Sequence, residues 1–241
     1  MNKKILKTAL PAIFLTVSTA VCAGELSGRL TFEEYLALAR QGDAESQLKL
    51  GLLYARGKNI QQDYKEAAKW LRNAAEQGDV NAQFSLGIIY RYGRGVQQDY
   101  KEAVEWFRKA AEQGDASSQF NLGVMYRFGQ GVLQDYKQAE VWWRKAAEQG
   151  DAGSQFSLGV IYRYGRGVQQ DYKEAVKWFR RAAEQGDASS QYNLGVIYAS
   201  GRGVPQDDKQ AVAWYRKAAE QGHVSARYHL RAMYRDLRGV L

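Results

Sequence analysis

Cysteine occurs once in these 241 residues, at Cys22, and proline twice. One cysteine cannot staple a small secreted scaffold, and two prolines exclude a proline-rich linker protein. Histidine is almost as scarce. His223 and His229 are the pair available, six residues apart and, on a helix, on roughly opposite sides. With no cysteine or clustered carboxylate beside them, no metal site is expected. No G-x-S-x-G nucleophile motif is present. The G-x-G loops, such as Gly93 and Gly95, lack the further Gly or Lys of a phosphate-binding loop and read as turns. No cofactor is implied. Past residue 21 there is no apolar run long enough to span a membrane, so no transmembrane anchor is expected. Charge of one sign is also in short supply. The formal net charge is +8, and without Lys3, Lys4 and Lys7 the 34 basic residues become 31 against 26 acidic, or +5. That is too little to argue for nucleic acid. What remains is ordinary globular composition, 45% hydrophobic and 25% charged, which excludes a disordered chain.

The first 23 residues read as a leader. Lys3, Lys4 and Lys7 form a positive start, Ala9 to Val21 an apolar stretch, and Val21-Cys22-Ala23 offers small residues before Gly24. This is the pattern of a signal peptide cleaved after Ala23, placing the mature protein in the periplasm or outside the cell. Cys22 raises a lipid-anchor alternative, but Val21 stands where that signal has Gly or Ala. Cleavage after Ala23 leaves a chain without cysteine, which excludes thiol chemistry.

The abundant residues are periodic. Trp70, Trp106, Trp142, Trp178 and Trp214 recur every 36 residues, as do Gly42 to Gly222 and Tyr54 to Tyr234, and residues 89–104 and 161–176 are identical. Such self-similarity marks an array. In one unit, Val80 to Asp115, a first helix runs to about Tyr92, with Ala82, Gln83, Leu86, Gly87 and Tyr90 on one face at about 100° per residue. Gly87 allows a partner helix to come close. Gly93-Arg94-Gly95 breaks the helix. Asp99 starts a second helix, with Glu102 placed for a reciprocal capping box. Ala103, Trp106, Phe107 and Ala110 line its buried face, Arg108 and Lys109 sit at its dipole-negative end, and Gly114 ends it. One such pair cannot bury its apolar faces alone, so neighbours must stack into an all-α solenoid of 36-residue helix-turn-helix repeats.

The string A-Q-F-S-L-G-I-I-Y-R-Y-G-R-G-V-Q-Q-D-Y-K-E-A-V-E-W-F-R-K-A-A-E-Q-G-D, Ala82 to Asp115, resembles the Sel-1-like repeat of the tetratricopeptide-like superfamily. The resemblance implies a right-handed superhelix of antiparallel helix pairs and a role in holding proteins or peptides. The expected organisation is a leader at 1–23, a capping segment at 24–43, repeats at 44–79, 80–115, 116–151, 152–187 and 188–223, and a capping helix within 224–241. Residues 31–43 read as the second helix of an incomplete unit. Val224 to Arg235 read as a first helix with nothing packed on it, since Arg231 replaces the close-approach glycine.

Function must then lie on an exposed face. Opposite Leu86 and Tyr90 lie Phe84, Arg91 and Tyr92, on the side that lines the concave surface of tetratricopeptide-like arrays. Stacking turns these into ladders: Phe84, Phe120, Phe156 and Tyr192; Arg91, Arg127 and Arg163; Tyr92, Phe128 and Tyr164. Arg94, Arg166 and Arg202, with Gln130 between them, adjoin in the loops. Rings interleaved with arginines suit a peptide. The alternative for the Phe ladder is that it seals one repeat against the next. The tryptophans read as core.

The expected function is therefore an exported, non-catalytic scaffold for a protein or peptide partner. Two rivals stand beside it: a purely structural envelope protein, and a β-lactam or cell-wall hydrolase, an activity linked to a cysteine-rich secreted branch of the resembled family. Ser46-Gln47-Leu48-Lys49 does match S-x-x-K. However, Lys49 occupies a variable register, no K-T-G follows, and that branch's cysteine pairs are missing.

Overall fold

Aspartate starts ten of the described helices and glycine follows their ends. The computed structural model describes residues 30–57 and 60–238; the expected leader, Met1 to Ala23, lies outside the described residues. Among these, twelve helices and no strand are present. The chain divides into two compact units, residues 1–98 and 99–241. The first holds α1 (Phe32–Arg40), α2 (Ala44–Arg56), α3 (Tyr64–Glu76) and α4 (Val80–Tyr92). The second holds α5 (Tyr100–Glu112), α6 (Ala116–Phe128), α7 (Tyr136–Glu148), α8 (Ala152–Tyr164), α9 (Tyr172–Glu184), α10 (Ala188–Ser200), α11 (Asp208–Glu220) and α12 (Val224–Arg238). In each unit consecutive helices pack on one another, so the fold is an all-α solenoid of 36-residue helix pairs.

The caps fix a common length of 13 residues for α2 to α11. Asp115 opens α6 by accepting the Ser118 N–H, and Gly129, at φ 66°, closes it. The second helices open at Asp63, Asp99, Asp135, Asp171 and Asp207. Only the forward half of the expected capping box forms there. The N–H groups of Asp63, Asp135, Asp171 and Asp207 are already taken by the carbonyls of Tyr54, Tyr126, Tyr162 and Tyr198, at 2.9–3.0 Å. Glu102 and Glu174 instead accept the indole N–H of Trp106 and Trp178. The complete box occurs at α1, between Thr31 and Glu34. At the far end of α5, Gly114 (φ 98°) and Asp115 return their N–H groups to Ala111 and Ala110, both at 3.1 Å. These are the paired bonds of a Schellman ending. Asp115 therefore closes one helix with its backbone and opens the next with its side chain.

Close approach within a pair is set by missing side chains. A Cβ added at Gly123, Gly159 or Gly195 would stand 2.5 Å from the ring of Trp143, Phe179 or Tyr215, and one at Gly51 would stand 2.5 Å from Leu71. Trp143 is fully buried and donates its indole N–H to the Phe120 carbonyl at 3.2 Å. Tyr126 meets Asp135 near the other end of the same two helices, so the pair is antiparallel. In α12 the equivalent residue, Arg231, is exposed, and no second helix follows among the described residues.

Two side-chain series join successive repeats. Gln47, Gln83, Gln119, Gln155 and Gln191 are 3–5% exposed and donate to the carbonyls of Ala39, Ala75, Ala111, Ala147 and Ala183 in the preceding helix. Four of them also accept from Gln77, Gln149, Gln185 and Gln221, each at 2.8 Å. In the second series, Arg72, Arg108, Arg144, Arg180 and Arg216 donate to the hydroxyls of Tyr90, Tyr126, Tyr162, Tyr198 and Tyr234. Arg108 is thus held by a neighbour's hydroxyl rather than left to the helix dipole. Lys109 lies 4.0 Å from the centre of the Trp106 ring.

One buried position is less well served. Ser118, Ser154 and Ser190, third in α6, α8 and α10, are fully buried and their hydroxyls have no hydrogen-bond partner. Ala82 and Ala226 fill the same place, equally buried. An unpaired buried hydroxyl costs roughly 1–3 kcal/mol. Alanine at all three serines is expected to stabilise the protein by about 1 kcal/mol per site, seen as a higher urea midpoint at unchanged slope.

Candidate functional site

The tripeptides Tyr90-Arg91-Tyr92, Tyr126-Arg127-Phe128 and Tyr162-Arg163-Tyr164 end α4, α6 and α8. Successive helical residues point about 100° apart, so each tripeptide sends its side chains three ways. The first tyrosine goes to an arginine of the preceding repeat, as described. The last ring goes out to solvent. Tyr92 is 54% exposed, Phe128 57% and Tyr164 54%, unusually open for large apolar groups. The middle arginine, half-buried, lies over that ring, with guanidinium-to-centroid distances of 5.3 Å for Arg91, 4.8 Å for Arg127 and 5.1 Å for Arg163. Loop arginines add a second cation to two of the rings, Arg94 at 5.4 Å from Tyr92 and Arg166 at 5.5 Å from Tyr164. In the first unit this gives one Arg–aromatic step, Arg91, Tyr92 and Arg94. In the second unit it gives two, Arg127 with Phe128, and Arg163 with Tyr164 and Arg166. α2 and α10 end in Ala55-Arg56 and Ala199-Ser200 and carry no such step.

The other aromatic ladder has a different setting. Phe84, Phe120, Phe156 and Tyr192 are all half-buried. Phe120 packs against the cluster around Trp143 and Leu158. Phe156 meets Phe179 at 6.0 Å between centroids, and Tyr192 meets Tyr215 at 5.9 Å. The physical reason is helical. Phe156 lies one turn before Gly159, so it flanks the point where Phe179 comes closest. Placing this residue opposite Leu158 on the wheel overlooks that flank. Phe120, Phe156 and Tyr192 thus pack against core clusters that draw on their own and the next repeat, while Tyr92, Phe128 and Tyr164 stay open. Arg163 is also partly committed, donating to Asn193 of the next repeat.

The histidines converge instead of lying apart. His223 precedes α12 and stands where the other repeats have aspartate; its Nδ1 accepts the Ala226 N–H at 3.2 Å. Its ring stacks on Tyr192 at 4.6 Å, and His229 lies 5.7 Å from the same ring and 5.3 Å from Tyr215. Burial, and then the neighbouring Tyr192, push the Tyr215 hydroxyl up to about 12. No group of three or more His, Cys, Asp or Glu side chains suited to a metal occurs among the described residues. In the S-x-x-K segment, Ser46 is buried and its N–H is held by Asp43, while Lys49 is exposed.

The Sel1 repeat, as a family, matches residues 44–79, 80–115, 116–151, 152–187 and 188–223. Among solved structures, the chain is similar to a protective antigen present in uropathogenic Escherichia coli strains that displays an SLR fold. The two are 43% identical with a TM-score of 0.83, over 86% of this chain and 44% of the other. This chain therefore spans less than half of that protein's length. It is also similar to a Sel1 repeat protein from Oxalobacter formigenes, at 35% identity and a TM-score of 0.73, over 91% of this chain and 89% of the other. Among curated proteins, none is similar enough to count as a match.

Proposed function

The chain belongs to the Sel1 repeat family, and we propose that it is an exported scaffold that binds a protein or peptide partner and carries out no chemistry of its own. The family fold is typical of protein–protein interaction. The observation that carries the reading is the open ring at three successive first helices, Tyr92, Phe128 and Tyr164, each beside an arginine. Rigid aromatic area with adjacent cations is the composition of interface anchors. A surface already ordered by its repeats loses little entropy on binding. Export rests on the leader at residues 1–23.

The test is affinity capture from envelope extract with two baits, the native chain and one carrying Tyr92→Ala, Phe128→Ala, Tyr164→Ala, Arg94→Glu and Arg166→Glu. These side chains are exposed, so circular dichroism should be unchanged. The expected result is a partner retained by the native bait and reduced at least about tenfold on the variant, the effect of losing hot-spot contacts. Equal retention by both baits would remove the Arg–aromatic steps as the contact surface.

A further inference from the structure

In the second unit, Glu140 of α7 reaches into the gap between two repeats. Its Oε1 accepts from Arg144 Nε at 2.8 Å and from the Tyr162 hydroxyl at 3.0 Å. Arg144 also donates to Tyr162, at 2.6 Å. An Arg–Tyr pair of the inter-repeat series thus holds a carboxylate here, in a charge-assisted and largely sheltered site. The Tyr162 hydroxyl is pushed up, first by burial and then by its hydrogen bond to Glu140.

Two repeats earlier, within the first unit, the same position is Ala68, with Arg72 and Tyr90 standing where Arg144 and Tyr162 stand. Ala68, 7% exposed, has no atoms beyond Cβ to reach that pair. A pocket of about 420 Å³ opens at it, lined by Lys65, Ala68, Lys69, Arg72, Tyr90 and Gly95 among others. Lys65 and Lys69 add positive charge, Glu66 pairs with Lys69, and Asp63 accepts the Lys65 backbone N–H at 2.8 Å. Elsewhere the position is Val104, Val176 or Val212, a branched apolar group.

We infer that the Ala68 pocket binds a carboxylate supplied from outside the chain, gripped by Arg72 and the Tyr90 hydroxyl as Glu140 is gripped by Arg144 and Tyr162. Arginine's planar fork suits a carboxylate, and the alanine leaves the volume that glutamate fills in the other repeat. The site differs from the Arg–aromatic steps and does not depend on their role. The carboxylate comes either from a small free acid or from an acidic side chain of a partner.

The experiment is nuclear magnetic resonance titration of the full chain with three probes: glutarate, the blocked peptide Gly-Glu-Gly, and its Gly-Gln-Gly counterpart. Saturable shifts are expected around residues 65–72 and 90–96 with a carboxylate probe and not with the Gln peptide, at a dissociation constant of about 1 mM. Binding of glutarate and peptide alike indicates a free acid as a sufficient ligand; binding of the Glu peptide alone indicates a protein side chain. Ala68→Glu, copying the third repeat, should fill the pocket and weaken binding about tenfold or more. Ala68→Val, copying the second and fourth, should do the same without adding charge. Glu140→Ala should open a second site, with new saturable shifts around 137–144 and 162–168. Absence of saturable shifts in the native chain, or shifts untouched by both Ala68 variants, would overturn the inference. So would a folded Glu140→Ala chain that gains no site.

Discussion

Alanine at Gly131 is expected to destabilise the second unit by about 3–4 kcal/mol, while alanine at Gly129, two residues away, costs about 1–2 kcal/mol. Both glycines are left-handed, at φ 72° and 66°, so both pay the backbone penalty of an L side chain. They differ in surroundings. A Cβ at Gly129 comes no nearer than 3.3 Å to another atom, the Gln134 nitrogen. At Gly131 it would stand 2.2 Å from the Tyr100 carbonyl oxygen and 2.4 Å from its carbon, backbone at the start of α5 that cannot swing aside. The clash adds to the strain and acts between repeats. Asparagine, which tolerates left-handed backbone, should recover much of the loss at 129 and none at 131. Urea unfolding of the four variants measures this; equal costs at the two positions would contradict it.

Leucine at Gln155 is the second large effect, at about 2–4 kcal/mol. The side chain is 3% exposed. It donates to the Ala147 carbonyl at 3.1 Å and accepts from Gln185 at 2.8 Å. Leucine keeps the apolar bulk but deprives both partners, and each buried group left short costs about 1–3 kcal/mol. Gln185 retains the Gly150 carbonyl at 2.9 Å, which limits its share. Because the bond to Ala147 runs to the preceding repeat, amide exchange at the junction of α7 with α8 should quicken along with the loss in urea stability. Exchange faster throughout the unit but uniform would argue that the glutamine is not a local joint.

Most of the fold was legible because repetition writes each structural demand five times. Asp before each of α2 to α11, Gly after it and Gly87-type close approach all follow from local rules. The half-formed capping box was not legible, because the competing acceptor for the Asp135 N–H is Tyr126, nine residues back across a turn. The Arg–Tyr and Gln–Gln series were present in the sequence as constant offsets of 18 and 30 residues, yet periodicity alone does not say which ladders touch. The histidines misled for a similar reason. His223 is a cap, not a helical residue, so an angular count from it to His229 does not apply. At the candidate site the sequence placed Arg91, Arg127 and Arg163 on an open face, and in the structure they are half-buried beside the exposed rings of Tyr92, Phe128 and Tyr164. The Phe156 ladder needed the packing of Phe179, which a helical wheel drawn for one helix leaves out.

The central claim is that a partner meets the ends of α6 and α8 in the second unit. Site-specific photo-cross-linking in intact cells tests it most directly, with the photoreactive group placed at Phe128 or Tyr164. Matched probes at Glu148 or Glu184 serve as comparison, since these exposed residues end the antiparallel second helices at the opposite end of the stack. A cross-linked product of one defined mass from Phe128 and Tyr164, and none from Glu148 and Glu184, is the predicted result. Products from all four positions alike, or from Glu148 and Glu184 alone, would contradict it.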